Sequence, residues 1–222
     1  MSSFLLQCYN IFMDDKEKLI QSLIKSGYLK THSIIDAFEK ISRVDFVPEE
    51  YKDDAYGDYP LSLGRGQTIS QPRTVAFMLE LLQPQPGEKI LDVGAGSGWT
   101  TALLAHIVGK NGYVFGAERI SELCEFGRKN LAKYFDETRA KIICGDATQD
   151  ISEKEFNKIL AGAAASREIP RAWRNQLKIG GRIIAPVGDS VWLFEKKNKK
   201  DWEENEYPGF AFVPLVRNGD KP

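Results

Sequence analysis

A glycine-rich segment near the middle of the chain has residue types and spacing that suit contact with a nucleotide or nucleoside. Asp92, Gly94, Gly96 and Gly98 form the pattern D-x-G-x-G-x-G between a predicted strand and a predicted helix. Glycines let the backbone turn tightly and approach a ligand, and a helix N-terminus offers free N–H groups. The dinucleotide fingerprint G-x-G-x-x-G would require a third glycine where this chain has Trp99. The segment therefore favours a nucleoside ligand over a nicotinamide dinucleotide.

Two acidic residues follow the next two predicted strands. Glu118 ends the strand after the glycine segment, and Asp146 follows the strand after that one. The carboxyl ends of parallel strands line the ligand crevice of an open sheet, where an acid can accept hydrogen bonds from both ribose hydroxyls. Either acid alone could be a cap, turn or surface residue, and the glycines could form only a tight turn. The ordered combination of all three features favours nucleoside binding.

This arrangement is similar to that of the S-adenosylmethionine-dependent methyltransferases, and one family among them matches far more of the chain. Residues 61–72, LSLGRGQTISQP, resemble the G-x-G-Q-T-I-S-x-P signature of the protein-L-isoaspartate O-methyltransferases. The resemblance implies methyl transfer to the free α-carboxylate of L-isoaspartyl residues in damaged proteins. It runs from about residue 16 to residue 216, with further matches VDFVP at 44–48, LDVGAGSGWTTA at 91–102, ERI at 118–120, LKIGGRIIAPVG at 177–188 and FVPL at 212–215.

The resemblance also implies a site, with S-adenosyl-L-methionine as cofactor and isoaspartyl-containing proteins and peptides as partners. It places Ser70 closest to the chemistry and predicts that Ser70, Gln67 and Arg73 contact the substrate. No metal ligands are predicted. The predicted cofactor contacts are Thr68, Ile69, Asp92, Gly94, Ala95, Gly96, Gly98, Glu118, Arg119, Asp146 and Ala147.

Methyl transfer to a carboxylate needs alignment more than acid–base assistance. A carboxylate of pKa near ~4 is ionised at neutral pH, so no general base is required. The two histidines, His32 and His106, are therefore interpreted as structural. Ser70 could instead be the N-cap of the helix that follows it, a position that serine favours. The resemblance favours the active-site role, and the two roles are compatible.

Several positions depart from the family pattern, and they bear on the acceptor more than on the cofactor. Arg73 stands where the family usually has His or Tyr, so the substrate rim gains a cation that could hold a peptide carboxylate or simply lie exposed. The other departures are Asn157 for Asp, Ala147 for Gly, Ser166 and Arg167 for a single Pro, and a short turn without Gln at 189–191.

The elements that must position these residues alternate between strand and helix. Helices are predicted near residues 19–24, 34–41 and 75–82, ahead of the glycine segment. Two strands at 191–195 and 210–215, joined by a solvated charged loop at 196–206, are predicted to pair antiparallel. Between these regions, strands at 89–93, 113–117, 141–144, 158–161 and 182–187 are predicted to alternate with helices at 100–108, 121–134 and 170–177.

This order predicts an α/β fold with a doubly wound, mostly parallel sheet of about seven strands, a C-terminal antiparallel hairpin and an N-terminal helical cover, which is Rossmann-like. We expect one domain over residues 1–222. Within it, residues 1–12 are predicted to be a flexible extension, residues 13–83 the helical cover with the substrate segment, and residues 84–222 the cofactor-binding core.

Composition and charge disfavour several other classes of protein. The net charge of −1 provides no overall field for a nucleic acid or an anionic membrane, and neither partner is expected. Cys8, Cys124 and Cys144 fit neither a disulfide framework nor a zinc site, which indicates a reducing, cytoplasmic setting. The apolar stretch at 4–13 lacks the charged start of a signal peptide. A monomer is the default expectation.

Three other functions stay open on the sequence alone. The same fold could methylate RNA or a small molecule, and a nucleoside-binding module without catalysis would need only the cofactor residues. A dinucleotide oxidoreductase is the third, although Trp99 disfavours it.

Overall fold

The computed structural model describes residues 14–149, 151–153 and 155–216, so the predictions about residues 1–12 and Cys8 lie outside the described residues. The helices are α1 Asp15–Lys25, α2 His32–Lys40, α3 Pro72–Leu82, α4 Trp99–Val108, α5 Ser121–Leu131 and α6 Arg171–Gln176. The strands are β1 Leu61–Gly64, β2 Gln67–Ile69, β3 Lys89–Val93, β4 Tyr113–Glu118, β5 Ala140–Cys144, β6 Phe156–Ala161, β7 Leu177–Val187, β8 Ser190–Lys196 and β9 Trp202–Pro208.

The main sheet has seven strands in the order β5-β4-β3-β6-β7-β8-β9. The first five of these run parallel, and β8 and β9 complete the sheet antiparallel. The chain moves outward from β3 to β5 and then crosses back to β6, so the strand order reverses beside β3. This topology confirms the predicted doubly wound α/β fold and places a ligand crevice at the carboxyl ends of β3, β4 and β6.

Alternating side chains on the central strands divide the hydrophobic core between the two faces of the sheet. On β3, Ile90 packs with the N-terminal helices, whereas Leu91 and Val93 pack on the opposite face with Trp173 of α6. This period of two is the expected pattern for a strand that is buried on both sides. The helical cover therefore shares its core with one face of the sheet, although the proposed boundary near residue 84 stays a prediction.

The prediction that residues 210–215 form the second strand of the C-terminal hairpin is wrong. β8 pairs with β9 at Trp202–Pro208, which begins inside the segment predicted as a charged loop at 196–206 and ends two residues beyond it. Residues 210–215 form no strand, and their β-pairing is limited to an isolated bridge from Pro214 to Ala164. β9 is an edge strand, which tolerates exposed charges such as Glu203 on its open face while Trp202 packs inward.

The interpretation of the cysteines is also wrong for one pair. Cys124 of α5 and Cys144 of β5 form a disulfide, with 5.5 Å between their Cα atoms. They are 20 residues apart along the chain, but α5 packs against β5 and brings them together. The cysteines therefore do not indicate a reducing compartment, and a cytoplasmic location stays a prediction. No helix in the described ranges is both long enough and apolar enough to cross a membrane.

The signature segment forms a small hairpin of its own, a feature that the strand predictions omit. β1 and β2 pair antiparallel, with a register shift near Gly64. The turn is possible because Arg65 and Gly66 both take positive φ values, of 55° and 71°. The hairpin leads directly into α3 and carries Thr68 toward the carboxyl ends of the sheet strands.

Candidate active site

A cleft lies at the carboxyl ends of the parallel strands, and we name it the strand-end cleft. Its walls include residues from the loops after β3, β4, β5 and β6, together with the β1–β2 hairpin and a C-terminal segment. The lining residues are Gln67, Thr68, Val93, Gly94, Gly96, Ala117, Glu118, Arg119, Ile120, Leu123, Gly145, Asp146, Ala147, Thr148, Gly162, Ala163 and residues 213–216.

Two further cavities adjoin the strand-end cleft. The loop cavity lies against the glycine loop and is lined by Thr68, Ile69, Ser70, Gly94, Ala95, Gly96, Ser97, Trp99, Thr100 and Gly162. The strap cavity is lined by Pro60, Thr68, Ser70, Gln71, Thr74, Gly162, Ala211, Phe212 and Val213. Thr68 and Gly162 therefore line all three spaces, and Ser70 lines both the loop cavity and the strap cavity.

Glu118 ends β4 and turns its carboxylate toward the glycine loop. Its side chain is nearly buried, with Oε2 accepting a hydrogen bond from the Gly96 N–H at 2.9 Å and Oε1 accepting one from the Ile120 N–H at 2.8 Å. A carboxylate can accept about four hydrogen bonds, so each oxygen retains acceptor capacity toward the cleft. This geometry fits a carboxylate that binds two ribose hydroxyls.

Two of the predicted cofactor residues lie behind the loop instead of in a cavity wall. Gly98 has a φ of +88°, and a Cβ there would lie 2.9 Å from the Gly127 carbonyl oxygen of α5. Gly98 therefore permits the start of α4 to pack closely against α5. Gly94 and Gly96, in contrast, line both the strand-end cleft and the loop cavity.

Asp92 is the second predicted cofactor residue outside the cavity walls. Its Oδ2 atom accepts hydrogen bonds from the hydroxyls of Thr100 at 2.7 Å and Thr101 at 2.6 Å, and the residue is 1% exposed. Burial raises the pKa of the Asp92 carboxyl to about 6, although both hydroxyl donors oppose that shift. Asp92 thus connects the end of β3 to the first turn of α4 by hydrogen bonds and stabilises the glycine loop between them.

The segment after β5 supplies one wall of the strand-end cleft. Asp146 Oδ1 accepts a hydrogen bond from the Thr148 N–H at 2.8 Å, and the Ala147 carbonyl accepts one from the Trp173 indole at 2.6 Å. The predicted contacts Asp146 and Ala147 therefore lie in the cleft wall, as does the exposed Arg119.

Ser70 is not the N-cap of α3, so that alternative is wrong. The cap residue is Gln71, and the helix begins at Pro72. The Ser70 carbonyl accepts a hydrogen bond from Arg43, whereas its hydroxyl has no hydrogen-bond partner within the part of the chain that the structure describes. The half-buried hydroxyl is therefore available to a ligand in the adjoining cavities.

The other two predicted substrate residues are placed differently from Ser70. Arg73 pairs with Asp58 at 2.9 Å between Nε and Oδ2, and its guanidinium lies 5.1 Å from the centre of the Tyr28 ring. Arg73 is absent from the lining of the three cavities, and its contact with a peptide carboxylate stays a prediction. Gln67 lines the strand-end cleft only, on the side of the predicted cofactor residues.

Two wall segments were not among the predicted site residues. Gly162 follows β6, and the rule that strand carboxyl ends line a crevice would have identified it. The segment at 211–216, which we name the C-terminal strap, lies alongside Ala164, whose N–H donates to the Val213 carbonyl at 2.8 Å. Its local sequence predicts a strand of the sheet at 210–215 and carries no signal for a cavity wall.

Comparisons with known proteins agree with this geometry. The profile of the family Protein-L-isoaspartate(D-aspartate) O-methyltransferase (PCMT) matches residues 14–220. The chain is 42% identical over 211 residues to the protein-L-isoaspartate O-methyltransferase of Methanopyrus kandleri, covering 93% of each chain. It is 41% identical over 208 residues to that of Methanococcus aeolicus, covering 91% of this chain and 95% of the relative.

Solved structures give the same result. A Plasmodium falciparum structure, named as a protein-L-isoaspartate O-methyltransferase in complex with S-adenosyl-L-homocysteine, is 26% identical with a TM-score of 0.81 and covers 92% of this chain and 99% of that one. A second structure named protein-L-isoaspartate O-methyltransferase has a TM-score of 0.82 at 28% identity, covering 91% of this chain and 66% of that one. This chain belongs to the protein-L-isoaspartate O-methyltransferase family.

Proposed function

We propose that this chain transfers a methyl group from S-adenosyl-L-methionine to the free α-carboxylate of L-isoaspartyl residues in proteins and peptides. The observation that carries the proposal is the position of Ser70 between the loop cavity and the strap cavity, with a hydroxyl that has no partner in the described ranges. A cofactor lying along the glycine loop and an acceptor entering the strap cavity would meet at this residue.

The cofactor residues fit the nucleoside part of this ligand. Bound S-adenosyl-L-methionine supplies an electrophilic methyl group on a positively charged sulfur. Glu118 would accept hydrogen bonds from the ribose hydroxyls with the acceptor capacity that the Gly96 and Ile120 N–H groups leave unused. Gly94 and Gly96 would allow the backbone to approach the cofactor closely, and Asp146 and Ala147 in the cleft wall would flank its base.

The acceptor side needs positioning and exclusion of water more than proton transfer. The acceptor carboxylate is already ionised at neutral pH, so its oxygen can attack the methyl carbon directly while the C–S bond breaks. The Ser70 hydroxyl donates a hydrogen bond to the other carboxylate oxygen and fixes its orientation. Holding the reacting atoms about 3–3.5 Å apart lowers the barrier by several kcal/mol.

The partners follow from the acceptor. We infer that they are proteins and peptides that contain isoaspartyl residues, and that these bind from the side of the strap cavity. A cytoplasmic location and a monomeric state stay predictions, as do cofactor contacts by Thr68, Ile69, Ala95 and Arg119, which line the cavities or their rims.

Transfer of a labelled methyl group tests the proposal. The chain is incubated with methyl-labelled S-adenosyl-L-methionine and either an isoaspartyl peptide or its aspartyl twin, which differs only in which carboxylate is free. We expect labelling of the isoaspartyl peptide alone, as a base-labile ester. Cofactor binding with no labelling of either peptide would support a binding module, and labelling of RNA or a small molecule instead would replace the acceptor.

A further inference from the structure

Arg43 is a buried cation that the proposed chemistry does not use. The residue is 1% exposed and lies in a short 3₁₀ turn after α2. Its guanidinium donates hydrogen bonds to four backbone carbonyls. Nη1 contacts Ala55 at 2.6 Å and Gly57 at 3.4 Å, and Nη2 contacts Tyr59 at 3.2 Å and Ser70 at 3.1 Å.

Carbonyl groups take the place of a counter-ion around this guanidinium. In the described ranges no carboxylate lies within ion-pair distance of Arg43, because Asp58 pairs with Arg73 instead. The guanidinium also lies 5.3 Å from the centre of the Trp99 ring, and Trp99 lines the loop cavity. Burial lowers the pKa of Arg43 to about 10, so the group keeps its charge at neutral pH.

The four carbonyls belong to two stretches of chain that flank the β1–β2 hairpin. Ala55, Gly57 and Tyr59 precede the hairpin, and Ser70 follows it. Pro60, next to Tyr59, and Ser70 both line the strap cavity. One rigid, planar group with fixed donor directions therefore sets the separation of the two ends of the hairpin, and with it the shape of that cavity.

We propose that Arg43 is a positioning residue for the acceptor site, whose forked guanidinium holds Ser70 and the 55–60 segment at the separation that the acceptor requires. This role rests on the proposed function for the identity of the acceptor. The four hydrogen bonds of Arg43 go to the segments that flank the β1–β2 hairpin, and none of them reaches a residue that lines the strand-end cleft.

Arg43→Lys tests this role because lysine keeps the charge and loses the fork. Arg139→Lys is the matched control, because Arg139 also donates to a backbone carbonyl, that of Ala105 at 3.1 Å, and lies 5.3 Å from the centre of the Phe135 ring. Arg139 is not part of the lining of the three cavities. Both variants are assayed for kcat and KM with the isoaspartyl peptide and for affinity toward S-adenosyl-L-homocysteine.

We expect Arg43→Lys to lower kcat/KM for the peptide by about ten-fold or more, while the affinity for S-adenosyl-L-homocysteine stays within about two-fold of wild type. Arg139→Lys should leave both quantities unchanged. Wild-type peptide kinetics in folded Arg43→Lys would overturn the proposal, as would equal losses of peptide kinetics and cofactor affinity, because the latter pattern indicates general destabilisation.

A second variant covers the case in which a buried ammonium prevents folding. Arg43→Gln removes the charge, relieves its desolvation and retains an amide donor, so it can fold where the lysine variant does not. We expect the same selective loss on the acceptor side, and wild-type kinetics in this variant would equally contradict the proposed role.

Amide hydrogen exchange separates this proposal from the proposed function. If wild type binds S-adenosyl-L-homocysteine but methylates no isoaspartyl peptide, the acceptor is wrong while the role of Arg43 is still open to measurement. Exchange over residues 55–71 should then be faster in either Arg43 variant than in wild type or Arg139→Lys. Unchanged exchange in that segment would show that Arg43 does not hold it.

Discussion

The Glu118 carboxylate lies 2.9 Å from the Gly96 backbone nitrogen, so the acid at the end of β4 directly holds the glycine loop at the end of β3. The same carboxylate accepts a hydrogen bond from Ile120, at the start of α5. Glu118 therefore has a structural task in addition to its proposed contact with a ribose. A variant at this position should reveal both tasks.

Glu118→Ala should weaken binding of S-adenosyl-L-homocysteine by about 1–3 kcal/mol, or about one to two powers of ten. It should also lower the free energy of unfolding by about 1–3 kcal/mol, because the Gly96 and Ile120 N–H groups lose their acceptor. Calorimetric titration and urea unfolding measure the two effects separately.

Glu122→Ala is the matched control for this prediction. Glu122 lies in the first turn of α5, is exposed and, among the residues that the structure describes, forms an ion pair with the exposed Arg65 alone. An exposed ion pair contributes little to stability, so both measurements should stay close to wild type. If Glu118→Ala retains wild-type affinity, Glu118 has the loop-holding role alone.

Ser70→Ala should lower kcat for methyl transfer by about ten-fold or more while leaving the melting temperature unchanged. We expect no loss of stability because Ser70 is not the N-cap of α3 and its hydroxyl has no hydrogen-bond partner in the described ranges. A single-turnover rate and a thermal unfolding curve on the same protein test this prediction. Affinity for S-adenosyl-L-homocysteine should be unchanged.

Two further variants make the Ser70 result specific. Ser70→Thr keeps the hydroxyl and should retain more activity than Ser70→Ala. Ser26→Ala removes a hydroxyl that donates to the Ser22 carbonyl at 2.7 Å, far along the chain from the cavities, and should leave the rate unchanged. A lower melting temperature for Ser70→Ala with a wild-type rate would contradict the catalytic assignment.

The parts of the fold that could be predicted are those encoded by local pattern. Alternation of apolar residues and the glycine loop predict β3, β4 and the helix between them to within a few residues. The rule for strand ends places Glu118 and Asp146 in one cleft, as the structure has them. The same rule also predicts that Gly162, which follows β6, lies in this cleft.

The parts that could not be predicted depend on packing between distant segments. Nothing local marks Asp92 as pointing toward Thr100 and Thr101 instead of the cleft, since a strand end offers both directions. The C-terminal strap reaches the cavities only because Ala164 pairs with it. Arg43 lies 27 residues from Ser70 in sequence, so the local sequence around neither residue predicts the hydrogen bond from Arg43 to the Ser70 carbonyl.

Reduction of the Cys124–Cys144 disulfide should lower the free energy of unfolding by about 3 kcal/mol, because the bond closes a loop of 20 residues. Thiol titration gives an independent check. With three cysteines and one disulfide, denatured but unreduced protein should expose one reactive thiol, Cys8, and reduced protein three. Three thiols before reduction of carefully oxidised protein would contradict the pairing, and Cys8→Ser should remove the single reactive thiol.

Asp92 should make the protein less stable as the pH rises from about 4 to about 6. Its pKa is raised to about 6 in the folded state from 3.8 when solvated, so between these values the folded state binds more protons than the unfolded state. Stability therefore falls with increasing pH, by about 3 kcal/mol in total for a shift of about two pKa units. Asp92→Asn stays neutral, and its stability relative to wild type should rise over the same range.

Urea unfolding of wild type and Asp92→Asn at several pH values tests this sign. Asp136→Asn is the control, because hydrogen bonds from Thr138 lower the pKa of the exposed Asp136 carboxyl and give a dependence of opposite sign. A stability difference between wild type and Asp92→Asn that is constant from about pH 4 to about pH 7 would show that the Asp92 carboxyl titrates normally. Since the Thr100 and Thr101 hydroxyls can still donate to an amide oxygen, the loop geometry should survive the substitution and cofactor affinity should change little.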